Sequence, residues 1–219
     1  MTTYRAQLKT ENAQDLKSDE NFVVAVQLSR VVNALRSNWR AHICISHDDK
    51  LLIAKDRLDL MLCQASMLYE AVREFSRLSK HLSSLEYWRT HPDEIRCLQT
   101  ESNDQSSFTN TILKNIRRKV YFHFDRDIIS DRISYHPMGN NVDFMIGQST
   151  TRKDVVYSLA DDLILSYVVS LSSEPALKPL EKYDRFEKKV IKLSDQLCSL
   201  FDNLIKELMR DKLAFTKEG

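Results

Sequence analysis

Across 219 residues, only Gly139, Gly147 and Gly219 are glycine and only Pro92, Pro137, Pro175 and Pro179 are proline. Glycine supplies the positive backbone angles that tight turns need, and proline interrupts helices and central strands. A chain so short of both has few places to turn sharply. That argues for long helices with short connections and against a many-stranded sandwich or barrel. The expected fold class is all-α, and a chain of this length can bury roughly 70% of the surface it exposes when unfolded.

The formal net charge is +1, so nucleic acid could be held only by a local basic patch and not by a global field. Cys44, Cys63, Cys97 and Cys198 are scattered without a CxxC spacing, which reads as buried thiols in a reducing compartment. The first residues, MTTYRAQLKTENAQDLKSDE, are too polar for a secretory signal. No apolar run approaches the roughly 20 residues of a membrane span, so the expectation is a cytoplasmic protein with no membrane partner.

Residues 1–18 carry little pattern and read as an N-terminal arm ahead of a single all-α domain over 19–219. From Asp19, with Ser18 or Asp19 as cap, Phe22, Val23, Val26, Val31, Leu35 and Trp39 recur at helical spacing. A second helix is predicted from about Lys55 to His81, with Leu58, Met61, Leu62, Ala65, Leu68, Val72, Phe75 and Leu78 inward. Pro92 suits a first helical position, and ESNDQSS at 101–107 reads as a polar linker. A third long helix starts near Phe108. After a turn at 135–141, VDFMIG suits a short strand or hairpin arm. Helices are then predicted from Asp154 to about Ser170 and from Pro179 to about Phe215, the latter amphipathic through Leu180, Tyr183, Phe186, Val190, Leu193, Leu197, Leu200, Leu204 and Leu208.

Several kinds of chemistry are excluded by spacing. Phosphate-cradling loops need clustered glycines, and none cluster here. Inward Glu-x-x-His pairs, as in di-iron bundles, do not occur, because no histidine has a glutamate three residues before it. His42 and His47 are five apart and do not stack on one helical face, and His81 and His91 flank a loop region. Adjacent Asp161 and Asp162 diverge by about 100° on a helix, which suits a solvated face better than a shared catalytic task. The expectation is no metal and no cofactor.

The remaining lead is NIRRKVYFHFD at 115–125. On a helical wheel of about 100° per residue, Ile112, Leu113, Ile116, Val120 and Phe124 form a buried stripe. His123 falls within that stripe and Arg117 at its margin. Lys114, Arg118 and Lys119 would form a basic solvent face able to meet RNA phosphates. An imidazole exchanges protons near neutral pH, and a guanidinium is a permanent, planar donor matched to phosphate oxygens. Together they suit metal-independent RNA cleavage, with His123 moving the 2′-hydroxyl proton and Arg117 meeting charge on the phosphate. Asp125 is the candidate to orient the imidazole. The other reading of these residues is a basic helix face with one half-buried, backbone-bonded histidine.

IRRKVYFHFD resembles the Arg/His motif of the HEPN superfamily (higher eukaryotes and prokaryotes nucleotide-binding domains), whose bacterial members read approximately LRNKVAFHFD here. VQLSRVVNALRSN at 26–38 and MLYEAVREFSRLSKH at 67–81 are similar to that group as well. The resemblance implies a helical bundle with a core over about 20–130, followed here by a helical extension over about 150–215. It also implies a homodimer in which two copies of the motif meet in one cleft. The function implied is ribonuclease action in toxin–antitoxin or anti-phage defence, with an antitoxin or defence-system protein as partner, or else a catalytically inactive relative that binds RNA or protein. Two registers stay open. Arg117 leaves five residues before His123 and Arg118 leaves four; the first aligns with LRNKVAFHFD, whose polar residue is Arg118 here. Asp125 stands where one toxin subgroup has a modifiable Tyr, so that mode of regulation is not expected.

Overall fold

The computed structural model describes residues 4–8, 16, 18–45, 50–121, 146–148, 155–172 and 177–217, with backbone alone for 4–8, 50–54, 121, 146–148, 155–162 and 213–217. The fold is all-α. Strand β1 (Tyr4–Leu8) precedes helices α1 (Glu20–Ile43), α2 (Lys50–Leu82), α3 (Glu86–Thr90) and α4 (Pro92–Asn103). Helix α5 follows over 108–121 and contains two π-helical stretches, Thr109–Leu113 and Ile116–Tyr121. Strands β2 (Ile146–Gln148) and β3 (Val155–Tyr157), helices α6 (Ser158–Ser170) and α7 (Pro179–Leu208), and strand β4 (Leu213–Lys217) complete the order.

The three long helices pack on one another, and α5 lies along α2. Helix α2 contributes Leu58, Met61, Leu62, Ala65, Leu68, Val72 and Phe75, all buried as their spacing predicts, while Leu78 is partly buried against them. Phe75 stacks on Trp88 at 5.4 Å between centroids and meets Phe201 of α7 at 6.4 Å. Helix α7 buries Phe186, Val190, Leu193, Leu197, Leu200, Phe201, Leu204 and Leu208 in the same cluster, whereas Leu180 in its first turn is 79% exposed.

Helix α1 differs from its expected face. Its buried residues are Val24, Ala25, Leu28, Val32, Leu35 and His42, while Val23 and Val26 are exposed. The run VVAV at 23–26 is apolar around the whole helix, so periodicity alone could not set the phase. Packing between α2 and α7 set it. The cap is Asp19, whose Oδ1 accepts from the Phe22 amide at 3.1 Å.

Polar side chains also fix the helix arrangement. Arg36 on α1 forms a two-pronged pair with Asp202 on α7, at 3.2 and 2.5 Å. Within the core, Asn38 Nδ2 donates to Gln64 Oε1 at 3.0 Å, and Gln64 Nε2 donates to Ser194 Oγ at 3.1 Å, linking α1, α2 and α7. Glu207 on α7 accepts from the backbone amides of Glu86 and Tyr87 at 2.6 and 2.8 Å, capping α3, whose own cap residue Leu85 offers no side-chain acceptor.

Other boundaries moved for identifiable reasons. Helix α2 begins at Lys50, ahead of the predicted start near Lys55, and α6 begins at Ser158, because Val155–Tyr157 pairs antiparallel with Ile146–Gln148. That ribbon includes part of the VDFMIG segment expected to be a strand or hairpin arm. Helix α7 ends at Leu208, short of Phe215, and Leu213–Lys217 pairs antiparallel with Tyr4–Leu8. Pairing across two hundred residues of sequence leaves no local signal. Residues 101–107 prove to be the end of α4 plus the hydrogen-bonded start of α5. Glu101 Oε2 accepts from both the amide and the hydroxyl of Thr109, at 3.1 and 3.0 Å, and Ser107 Oγ accepts from the Asn110 amide at 3.2 Å.

Among the described residues, no helix is long and apolar enough to cross a membrane.

Candidate functional site

Helix α5 carries the basic run, and its local geometry departs from the wheel used to read it. The Lys114 amide donates to the Thr109 carbonyl, five residues back instead of four. Asn115 Nδ2 meanwhile donates to the Thr111 carbonyl at 2.6 Å, an acceptor the regular helix would give to a backbone amide. Widened turns of this kind re-aim side chains and recur at functional sites. Leu113, Ile116 and Val120 are buried, and Ile112 packs against the core from a partly exposed position.

Arg117 sits at the edge of that buried row, with its side chain 28% exposed, and its Nε donates to Glu70 Oε1 of α2 at 3.0 Å. Arg118 and Lys119 are exposed, and Lys114 is half-buried. The structure therefore separates one anchored guanidinium from two solvated cations on the same helix. His123 and Asp125, predicted as the proton-transfer and orienting residues, lie outside the described residues.

Arg117 also lines a groove of about 380 Å³ between α1 and α2. Gln27, Arg30, Val31, Ala34 and Leu35 line it from α1, and Ser66, Met67, Glu70, Ala71 and Glu74 from α2. Small side chains create the space: at Ala34, Ser66 and Ala71 neither helix has a side chain long enough to fill the gap. Ser66 is 2% exposed, and its Oγ has no hydrogen-bond partner among the described residues. A buried hydroxyl left so costs about 1–3 kcal/mol. Arg30 is exposed and forms no ion pair among the described residues, whereas Glu74 Oε2 accepts from Arg77 Nη1 at 3.1 Å.

The histidines within the described residues have structural surroundings. His42 is 6% exposed, stacks on Trp39 at 5.0 Å and lies 3.3 Å from Glu187 Oε1. His81 contacts Asn21 Oδ1 at 2.9 Å, and His91 stacks on Tyr87 at 3.8 Å. Among the described residues, no three His, Cys, Asp or Glu side chains cluster as metal ligands would.

Sequence reasoning singled out Arg117 but not the groove beside it. Gln27, Arg30, Glu70 and Glu74 lie within the segments 26–38 and 67–81 quoted above, but nothing in the sequence distinguishes them or Ser66 from other helix residues. Neither a protein-family model, a curated protein nor a solved structure matches this chain.

Proposed function

We propose that the chain is a HEPN-type, metal-independent endoribonuclease that acts as a homodimer in a toxin–antitoxin or anti-phage defence system. The observation that carries the reading is Arg117, pinned by Glu70 at 3.0 Å beside the groove, with Arg118 and Lys119 exposed on the same helix. A guanidinium held in place at a groove suits a phosphate whose charge rises during reaction, because it meets that charge without first being ordered. The solvated cations suit attraction of the RNA backbone. His123 takes the 2′-hydroxyl proton, the 2′ oxygen attacks phosphorus, and the P–O5′ bond breaks as a proton reaches the leaving oxygen. Asp125 orients the imidazole. The products carry a 2′,3′-cyclic phosphate and a 5′-hydroxyl.

The Arg117–Glu70 pair also favours a second reading, in which the chain is a catalytically inactive relative that binds RNA or a partner protein. A carboxylate on the guanidinium offsets part of the charge that a transition-state phosphate would need.

Single-stranded RNA incubated with the purified chain in chelator distinguishes the two. Cyclic-phosphate ends, absent with His123→Ala and with Arg117→Ala, together with a dimer in light scattering, support the nuclease. RNA binding without turnover at high protein concentration supports the second reading. Unchanged cleavage by the His123 variant removes that residue from the mechanism.

A further inference from the structure

The groove between α1 and α2 has features that phosphate contact alone does not call for. Its volume, about 380 Å³, lies within the roughly 300–1,000 Å³ typical of small-molecule sites. Its apolar lining, Val31, Leu35, Met67 and Ala71, suits the flat face of a heterocycle, and a thioether packs well against such rings. Ser66 adds a buried hydroxyl with no partner among the described residues, able to donate and to accept.

The rim is polar in a selective way. Glu70 and Glu74 follow one another on α2, four residues apart, and line the same groove. Ionised carboxylates only accept hydrogen bonds. Arg30 lines the α1 side and only donates. The matching ligand therefore presents adjacent donors on one edge and acceptors on another. Guanine does so: N1–H and the N2 amino group lie side by side, and O6 and N7 accept from arginine. Adenine and cytosine each place a ring-nitrogen lone pair beside the amino group, which a carboxylate pair would repel. Uracil has no amino group.

We infer that this groove is a guanine pocket, taking an unstacked base of single-stranded RNA while Arg117 at its edge holds a neighbouring phosphate. Unpaired bases splayed from the strand are the usual targets of sequence-selective RNA recognition. The inference rests on the ribonuclease reading for its substrate class, and it adds a sequence preference to that same site.

Mononucleotides test it without a scissile bond. The full chain is titrated with GMP, AMP, CMP and UMP by calorimetry and by NMR. GMP is expected to bind at least about tenfold more tightly than the other three, the discrimination one good bidentate contact supplies. Ala34→Trp fills the groove from an exposed position and is expected to abolish GMP binding, while Glu74→Gln weakens it about tenfold. Thermal melting of each variant confirms that the fold is retained. Equal binding of GMP and AMP, or GMP binding unaffected by Ala34→Trp, overturns the pocket. So does a groove that binds no nucleotide but whose filling dissociates the protein into monomers, since a second copy then occupies it. GMP binding without RNA cleavage leaves the pocket standing and removes the nuclease activity. Cleavage without GMP binding does the reverse.

Discussion

Nε of Arg117 lies 3.0 Å from Oε1 of Glu70, and this contact ties the basic helix α5 to the middle of α2. The pair is partly exposed, with side chains 28% and 48% accessible, so it adds little to stability, about 0.5 kcal/mol. Its consequence is positional: it fixes where one of three consecutive cationic side chains points, and it leaves Arg118 and Lys119 to solvent.

Glu70→Gln is therefore expected to change the unfolding free energy by less than about 1 kcal/mol while altering what Arg117 does. On the nuclease reading, Glu70 positions Arg117, and in the guanine pocket it also accepts from the base. Its loss should therefore lower kcat/KM for RNA cleavage by more than about tenfold, through a lower kcat and a raised KM together. A shift in KM alone would mean that Glu70 affects only RNA binding. Arg117→Lys should not rescue activity, because an ammonium lacks the planar fork.

The buried chain from Asn38 through Gln64 to Ser194 gives a second prediction. Gln64→Leu leaves the Ser194 hydroxyl, itself 5% exposed, without its donor and removes one of the two acceptors of Asn38 Nδ2, the other being the Leu60 carbonyl at 2.9 Å. The expected loss is about 1–3 kcal/mol in denaturant unfolding. The double variant Gln64→Leu with Ser194→Ala should recover part of it, since an absent hydroxyl needs no partner. No recovery would show that the cost lies in side-chain volume.

Asp19 links stability to acid. The Lys212 ammonium bonds its carboxylate, and the Phe22 amide adds a second bond, so its pKa falls below the ordinary aspartate value of 3.8. A carboxyl depressed on folding stabilises the protein above its unfolded pKa, and that contribution is lost as pH falls from about 4 through the lower folded value. Asp19→Ala should cost about 1 kcal/mol at pH 7, the usual worth of a helix cap, and flatten the loss of stability below pH 4. An unaltered acid profile would show that other carboxylates dominate it.

The thiols differ in environment. Cys44 and Cys97 are exposed and Cys63 is intermediate, whereas Cys198 is buried and its thiol is pushed up to about 11, chiefly by burial. Only the thiolate reacts, so a disulfide reagent at pH 8 should modify Cys44 and Cys97 quickly and Cys198 only on unfolding. Rapid labelling of Cys198 in the native protein would show that α7 opens locally. Exposure of Cys44 and Cys97 also corrects the expectation that all four thiols are buried.

The amino-acid sequence alone determined the all-α class, the long helices α2 and α7, and the interior rows from Leu58 to Phe75 and from Phe186 to Leu208. Scarce breakers and a clean helical period are local properties, so they survive without knowledge of neighbours. It also brought Arg117 forward from its place beside an apolar stripe. The tertiary structure alone decided the phase of α1, because VVAV is apolar on every side and only the surfaces of α2 and α7 choose among its faces. It alone paired Tyr4–Leu8 with Leu213–Lys217, a contact between distant parts of the chain. It also joined Arg117 to Glu70, forty-seven residues away, and opened a groove where Ala34, Ser66 and Ala71 leave space between two helices. Side-chain period is a one-dimensional signal, whereas a cleft is made by what two separate segments fail to fill.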